Sequence, residues 1–486
     1  EDFAAQAKVG YRIPLVKELS LSSLSPVAIV EALKLEQGEF ALLESGKLSE
    51  SLASSTLICY APGRIYRTKD NTAYLNNEEI KGVHPYRYLE QLVAADPTIK
   101  IPGQPKFCGG PVGFISYDAG RMFEHLPELT LDDVKIPDLY FMFCDRVIEI
   151  DNLHSKVRAV INIYVDETSN LLELYTWAEA EFTKLEVQLE RIEPDNPQPL
   201  PQLALQNLFE PEVNMTKEQF ESMVVRAKEY IKAGDVFQVN LSIRLGKQLK
   251  ADPWNVYKVL RRVNPSPYAA YVNFGDIQLV GSSPELLVKI NNGIAETRPI
   301  AGTRRRGLDR EEDLLLAKEL INNEKECAEH IMLVDLERND LGRVCSYGTV
   351  KVDELMVIEE YSHVMHIVSN VQGELAEGKS NFDLLKACFP GGTITGCPKV
   401  RCMEIIEELE PTRRGVYTGS VGYFGYSGEM EMNISIRTLV VTEGKAYVQA
   451  GAGIVVDSIP EREYYESLKK AEALLRALEL AEQELE

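Results

Sequence analysis

Two periodicities alternate along the chain. Before residue 190, the runs STLICYAP, VGFISYD, LYFMFCDRVIEI and VRAVINIYV are short and rich in β-branched and aromatic residues, which predicts strands. NLLELYTWAEAEFTKLEVQLERI instead repeats its apolar positions at the helical period and predicts one long amphipathic helix. Between Arg191 and Val213 the stretch RIEPDNPQPLPQLALQNLFEPEV is proline-rich and loses sustained periodicity, as a surface connection would. The expected organisation is therefore an N-terminal portion 1–190, a linker 191–213 and a second portion 214–482. That second portion opens with TKEQFESMVVRAKEYIKAG, in which Thr216 and Gln219 have capping-box spacing and Gly234 ends the helix ahead of the strand VFQVNLSIRLG. More strands are expected in YAAYVNFG, IQLVGSSPELLVKI, VYTGSVGYFGY, EMNISIRTLVV and KAYVQAGAGIVV, and helices near 310–336, 381–388, 398–409 and 462–482. Strands at the centre with helices around them make this an α/β chain, and no repeat of 20–50 residues interrupts it.

Composition narrows the functional classes. The chain has 486 residues and 45% hydrophobic content, enough for two or three domains or one large α/β unit with a substantial core. Against 52 lysines and arginines stand 75 acidic residues, and the net charge of -23 gives a field that repels nucleic acid and anionic membrane. The first residues, EDFAAQAKVGYRIPLVKEL, match no targeting pattern, and nowhere do about 18 apolar residues run uninterrupted, so a cytoplasmic protein is expected. The eight cysteines are scattered without a C-x-x-C pair, which indicates reduced structural thiols and no zinc site.

Candidate chemistry is concentrated in the second portion. In AGAGIVVDSIPEREYYESLKKAEALL, Gly451 and Gly453 suit a tight turn that faces an anion, yet a cluster of glutamates follows. On a helix starting near Glu463, rotation by about 100° per residue puts Glu463, Glu466 and Lys470 on one face and Leu468, Ala471, Leu475 and Leu478 on another. NNEKECAEHIMLVDLERNDLGR carries a second pair with the same spacing, Glu326 and Glu329. Four carboxylates from two helices suit Mg²⁺, a hard cation that would reverse the local sign and admit an anion; solvated helix faces carry the same spacing for no chemical purpose. AETRPIAGTRRRG sets Glu296 at a strand end before a turn whose backbone and Thr303 hydroxyl could grip a carboxylate. FPGGTITGCPKVRCMEII joins a glycine turn to Pro398 at the first turn of a helix, with Thr393 and Thr395 beside it. EEYSHVMHIVSNV supplies His363 and His366, either a proton carrier or a satisfied core histidine.

Taken together, GDVFQVNLS, NPSPY, GSSPELLVK, ETRPIAGT, EKECAEH, LVDLERNDLGRV, HVMHIVS, PGGTITGCPK, YTGSVGY, NISIRT and AGAGIV resemble the chorismate-binding enzymes: the large subunits of anthranilate synthase and aminodeoxychorismate synthase and their isochorismate-forming relatives. The likeness is dense from Val213 to about Leu480 and continues in ALLES and GGPVGFISYDAGRMFEHLPE. It implies central antiparallel sheets flanked by helices in two intertwined subdomains, with a regulatory and framework N-terminal portion. It implies Mg²⁺ among Glu326, Glu329, Glu463 and Glu466, and Tyr417, Arg437, Gly451, Gly453 and Lys470 around the carboxylates of chorismate. Thr303 and Thr395 then lie near the ring, Glu296 protonates the departing C4 hydroxyl, and His366 is the active-site histidine. Gln238 stands where the water-using relatives carry a lysine base, so ammonia is the expected nucleophile, delivered by a separate glutamine amidotransferase subunit. LLES, ending at Ser45, and NPSPY, with Asn264, Pro265 and Tyr268, resemble a tryptophan pocket.

The motifs divide over the product. QVNLS, YDAGRMFEHLPE and PGGTITGCPK resemble aminodeoxychorismate synthase, which serves 4-aminobenzoate and folate formation. NPSPY, YSHVMHIVSNV and PIAGT resemble anthranilate synthase, which serves tryptophan formation. Ala301 replaces a lysine that many aminodeoxychorismate synthases use as a nucleophile at C2. The expected function is aminodeoxychorismate synthase component I, with anthranilate synthase component I as the alternative. An acidic scaffold without catalysis is the rival from another class.

Overall fold

LYFMFC is apolar without alternation, the pattern of a strand covered on both faces. In the computed structural model it is the strand Leu139–Cys144: Leu139, Phe141 and Phe143 join one hydrophobic core, while Tyr140, Met142 and Cys144 join another. The structure describes residues 3, 7–19, 24–45, 55–192, 211–361 and 364–483. Most of the expected linker 191–213, and His363, lie outside them.

Two sheets, each of twelve strands among the described residues, form the centre. One runs from Tyr11–Leu19 through Lys156–Val165, Arg146–Asp151, Ser55–Tyr60 and Phe40–Glu44. It then passes directly into Tyr268–Asn273, Ile277–Ser283, Thr438–Thr442, Lys445–Ile454 and Gln238–Gln248. The other begins with Ile300–Arg305, Val364–Glu374, Ile294–Thr297, Leu286–Asn291, Met430–Asn433 and Ser420–Phe424, and continues into Gly110–Ile115, Leu139–Cys144 and Arg64–Lys69. Both joins are antiparallel, Phe40–Glu44 against Tyr268–Asn273 and Gly110–Ile115 against Ser420–Phe424. The two portions of the sequence are thus interleaved in both sheets.

One core, containing Ala41, Cys59, Phe114, Met142, Val272 and Leu279, fills the space between the sheets. Helices Leu171–Leu189, Pro253–Val263 and Pro460–Gln483 cover the outer face of the first sheet, and Pro85–Ala94, Glu324–Gly342 and Asn381–Cys388 that of the second. The result is a helix, sheet, sheet, helix sandwich. No described helix is long and apolar enough to cross a membrane.

Local signals in the sequence account for most boundaries. Thr216 and Gln219 make the reciprocal capping box, and Gly234 takes φ 86 at the other end of helix Lys217–Ala233. The single helix expected near 310–336 is instead two, Arg310–Ile321 and Glu324–Gly342. Asn323 causes the break, because its side chain accepts the Glu326 amide proton and starts a new helix. Pro398 lies one position outside Lys399–Leu409, as its N-cap. Gly451 and Gly453 are also placed differently from expectation. They are interior to the strand Lys445–Ile454, opposite Ser242 and Asn240.

Candidate active site

The strand Ile300–Arg305 bulges between Ala301 and Thr303, and this irregularity sets Thr303 opposite His366 on Val364–Glu374. His366 Nδ1 is 3.1 Å from Thr303 Oγ1 and 3.0 Å from the Gly302 carbonyl. A carbonyl only accepts, so Nδ1 carries the proton and Nε2 presents a lone pair. Nε2 is buried and has no partner in the chain. Burial pushes the imidazole down to about 4, with the nearby Arg437 adding to the effect and the Gly302 contact opposing it. His366 is therefore neutral at pH 7, and its free nitrogen is an acceptor.

Gly302 connects this histidine to the first glutamate pair. It has φ 62, and a Cβ there would come within 2.9 Å of Glu326 Oε2, so a side chain would displace the carboxylate. Glu326 Oε1 lies 3.2 Å from Arg304 Nη1, and Glu329 Oε1 accepts from Gln238 Nε2 at 3.1 Å. A Cβ on Gly453 would come within 2.3 Å of that same Gln238 nitrogen, and one on Gly451 within 2.3 Å of the Leu241 carbonyl. These glycines therefore serve close packing between strands. Lys470 Nζ donates to the Gly451 carbonyl at 3.0 Å and pairs with Glu466 at 2.9 Å. Burial raises the Glu463 carboxyl above its ordinary range, Ser458 lowers it, and the like charge of Glu466 raises it further. The carboxylates of Glu326, Glu329 and Glu466 are thus engaged by side chains of the protein itself. Among the described residues no group of three His, Cys, Asp or Glu side chains forms a preassembled cation cage.

Glu296 does not join this assembly. It pairs with Lys289 at 3.0 Å and lines a separate cavity of about 180 Å³ together with Ser45, Tyr268, Glu429 and Glu431. Strand alternation is the reason: Glu296 and Thr297 point to opposite faces of Ile294–Thr297, and it is Thr297 that approaches the buried face. The acid on the site side is Glu285, which sequence analysis passed over inside GSSPELLVK although it is the one acidic residue in IQLVGSSPELLVKI. Glu285 is 6% exposed, and its Oε1 has no hydrogen-bond partner. Burial pushes its carboxyl up to about 7, while Thr393, the Ile300 amide and Arg437 pull the other way. Arg437 itself has a left-handed backbone, φ 50, and its carbonyl accepts from the Ser282 amide. Ser45 and Tyr268 share the second cavity, whereas Asn264 donates to Ser282 Oγ at 2.9 Å, and neither Asn264 nor Pro265 lines that cavity.

A buried ion pair holds the remaining members. Arg414 and Glu410 have side chains 1% and 2% exposed, 2.8 Å apart. The Arg414 guanidinium also donates to the carbonyls of Asn240 and Ile394 and to Thr418 Oγ1, and lies 5.5 Å from the Tyr417 ring. Thr395 Oγ1 donates to Gly391, and the Thr395 carbonyl accepts from the Asn240 amide. Neither Arg414 nor Glu410 stood out in the sequence, because EPTRR, past the end of helix Lys399–Leu409, reads as an ordinary charged loop.

The model of the chorismate binding enzyme family matches residues 39–476. Anthranilate synthase component 1 of Acetivibrio thermocellus is 43% identical over 476 residues, covering 96% of each chain. Aminodeoxychorismate synthase component 1 of Bacillus subtilis is 51% identical over 381 residues, covering 78% of this chain and 79% of that one. The crystal structure of anthranilate synthase component I from Streptococcus pneumoniae superposes with a TM-score of 0.76 at 34% identity, over 93% of this chain and 98% of the other. The chain belongs to the chorismate binding enzymes.

Proposed function

We propose that the chain is the chorismate-aminating component I of aminodeoxychorismate synthase, working with ammonia from a separate glutamine amidotransferase subunit. The observation that carries amination is Gln238. Its amide donates to Glu329 and offers no basic nitrogen with which to activate water, so a nucleophile that is already strong as a free base is required. Named relatives stand on both sides of the product choice, an aminodeoxychorismate synthase component 1 at 51% identity over 381 residues and anthranilate synthase component 1 at 43% over 476, and the choice of product rests on the motifs QVNLS, YDAGRMFEHLPE and PGGTITGCPK.

In this reading Arg437 and Lys470 attract the two carboxylates of chorismate into the site. Glu285, protonated up to about pH 7, gives its proton to the C4 hydroxyl; the carbon–oxygen bond breaks and water leaves. Ammonia adds to the activated ring with an N–H directed at the neutral, unpartnered His366 Nε2, which accepts that hydrogen bond, and the new ammonium gives its excess proton to solvent. The four glutamates, all hard oxygen donors, fit Mg²⁺, with Glu326, Glu329, Glu463 and Glu466 as the residues that would hold it in place of Arg304 and Lys470. When bound, Mg²⁺ supplies positive charge against the substrate carboxylates.

Ala301 favours a second reading, anthranilate synthase component I. Its buried methyl group supplies no nucleophile, so nothing at that place diverts ammonia from direct addition at C2, after which pyruvate is eliminated. One assay separates the two. The purified chain is incubated with chorismate, Mg²⁺ and ammonium at high pH. Fluorescent anthranilate forming unaided supports the second reading, whereas 4-aminobenzoate appearing only after a lyase is added supports the first. A folded chain that consumes no chorismate overturns both.

A further inference from the structure

The strand Val364–Glu374 runs between two others at His366. Thr303 is directly opposite the histidine on one side, and Glu359, next to last in the strand Lys351–Glu360, is directly opposite it on the other. Opposed residues share a face of the sheet with Cβ atoms about 4.5–5.5 Å apart, so register alone puts a carboxylate within reach of the imidazole. Yet neither ring nitrogen meets it: Nδ1 is taken by the Gly302 carbonyl and Thr303, and Nε2 has no partner. A glutamate beside a histidine ordinarily captures an N–H and stabilises imidazolium, so something keeps the two apart.

Tyr361 does so. Its ring packs edge-to-face on the imidazole, with centroids 5.2 Å apart and planes at 74°. Its hydroxyl donates to Glu359 Oε2 at 2.9 Å, and Arg298 Nε donates to Oε1 at 3.2 Å, so both carboxylate oxygens are taken. Arg298 also pairs with Glu354 at 2.7 Å, and the side chains of Arg298 and Glu359 are 11% and 14% exposed. The tyrosine backbone is fixed as well: its N–H donates to the Val364 carbonyl at 2.8 Å, and its carbonyl accepts from Arg306 Nη1 at 2.9 Å. The torsion that turns an imidazole is soft, and the contact at Nδ1 holds one corner of the ring only. A second ring packed against it removes the remaining freedom.

We propose that Tyr361 is a positioning residue for His366: its ring holds the imidazole on the Gly302 carbonyl with Nε2 free, and its hydroxyl, with Arg298, keeps Glu359 from drawing the histidine away. The inference rests on the reading in which His366 Nε2 accepts an N–H of ammonia. The groups facing the imidazole are Thr303 and the Gly302 carbonyl from one strand, Glu359 and Tyr361 from the other side, and Arg437. Of these Glu359 alone carries the negative charge that would stabilise imidazolium, in which both nitrogens are donors and the acceptor is lost.

The test is two-bond proton–nitrogen NMR at pH 8 on histidine-labelled wild type, Tyr361→Phe and Tyr361→Leu, with His366 identified among the six histidines by the signals that His366→Gln removes. Wild type and Tyr361→Phe, which keeps the ring while Arg298 still holds Glu359, should show one form of His366, protonated at Nδ1 only. Tyr361→Leu should add forms protonated at Nε2 or at both nitrogens, and a further Glu359→Gln change should remove the doubly protonated one. In steady-state kinetics with ammonium as nitrogen source, Tyr361→Leu should raise the KM for ammonia about tenfold or more, with the KM for chorismate within about twofold and Tyr361→Phe within about threefold of wild type. A Tyr361→Leu protein that is folded by circular dichroism and slower, but keeps His366 in the wild-type form, overturns the proposal and makes Tyr361 structural only. Should Tyr361→Leu not fold, Tyr361→Met, which fills the space without a ring, carries the same comparison. If His366→Gln keeps the wild-type KM for ammonia, the acceptor reading of His366 fails, while the NMR forms of the Tyr361 variants decide the positioning role independently.

Discussion

Replacing Glu285 with glutamine tests the acid role and its energetic cost together. The side chain keeps its size and its capacity for hydrogen bonds but has no proton to give. General acids contribute about 10²–10⁴ to rate, so kcat should fall by that factor with KM for chorismate changing little. Stability should move the other way. A carboxyl raised from 4.5 to about 7 binds its proton more tightly in the folded chain than in the unfolded one. Between those values the folded state holds more protons, so stability declines as pH rises, and the loss is complete above the folded value. The difference corresponds to at most about 3 kcal/mol at pH 8, and relaxation around the group reduces what is observed. Glu285→Gln should therefore raise the urea midpoint at pH 8 relative to wild type, and much less at pH 5, where both side chains are neutral. Steady-state kinetics paired with urea unfolding at the two pH values measures both effects. A variant that keeps turnover within about threefold of wild type would refute the acid assignment, and one that loses activity and stability together would show that the residue was packing and not chemistry.

Other substitutions bear on the surrounding parts. Glu326→Gln and Glu463→Gln should each weaken Mg²⁺ or Mn²⁺ binding by more than about tenfold in calorimetry, whereas Arg304→Gln, which removes the guanidinium 3.2 Å from Glu326, should tighten it. Arg414→Met leaves Glu410 buried without its cation and should cost about 3–5 kcal/mol in chemical denaturation; the double change with Glu410→Leu should recover part of that. His330, held at about 4 by burial with Nε2 2.6 Å from Ser369 Oγ, binds its proton less well folded than unfolded. Its contribution is present above pH 6.5 and is lost as pH falls toward 4, by up to about 3 kcal/mol, so His330→Gln should flatten the acid side of the stability profile.

What the sequence reveals depends on how local the cause is. The capping box at Thr216, the stop at Gly234 and the doubly buried strand LYFMFC are written in neighbouring residues, and the folded chain uses them as they read. The glutamate pairs at 326/329 and 463/466 are legible for the same reason, since spacing on one helix fixes a shared face. Glu296 shows where this logic ends. Its motif is local, but the face that a strand residue occupies depends on which neighbours the strand acquires, and those come from Leu286–Asn291 and Val364–Glu374, the latter about 70 residues away. Shifting attention by a single residue along an alternating strand exchanges the two faces, so a motif read locally does not say which cavity its acid lines. Glu285 was hidden for the complementary reason: an acid among small and apolar residues reads as a strand end until the distant Thr393 and Arg437 close over it. Interleaving both halves of the chain in both sheets makes such contacts common here, so catalytic roles in this fold are better assigned from burial and unpartnered atoms than from a motif's most conspicuous charge.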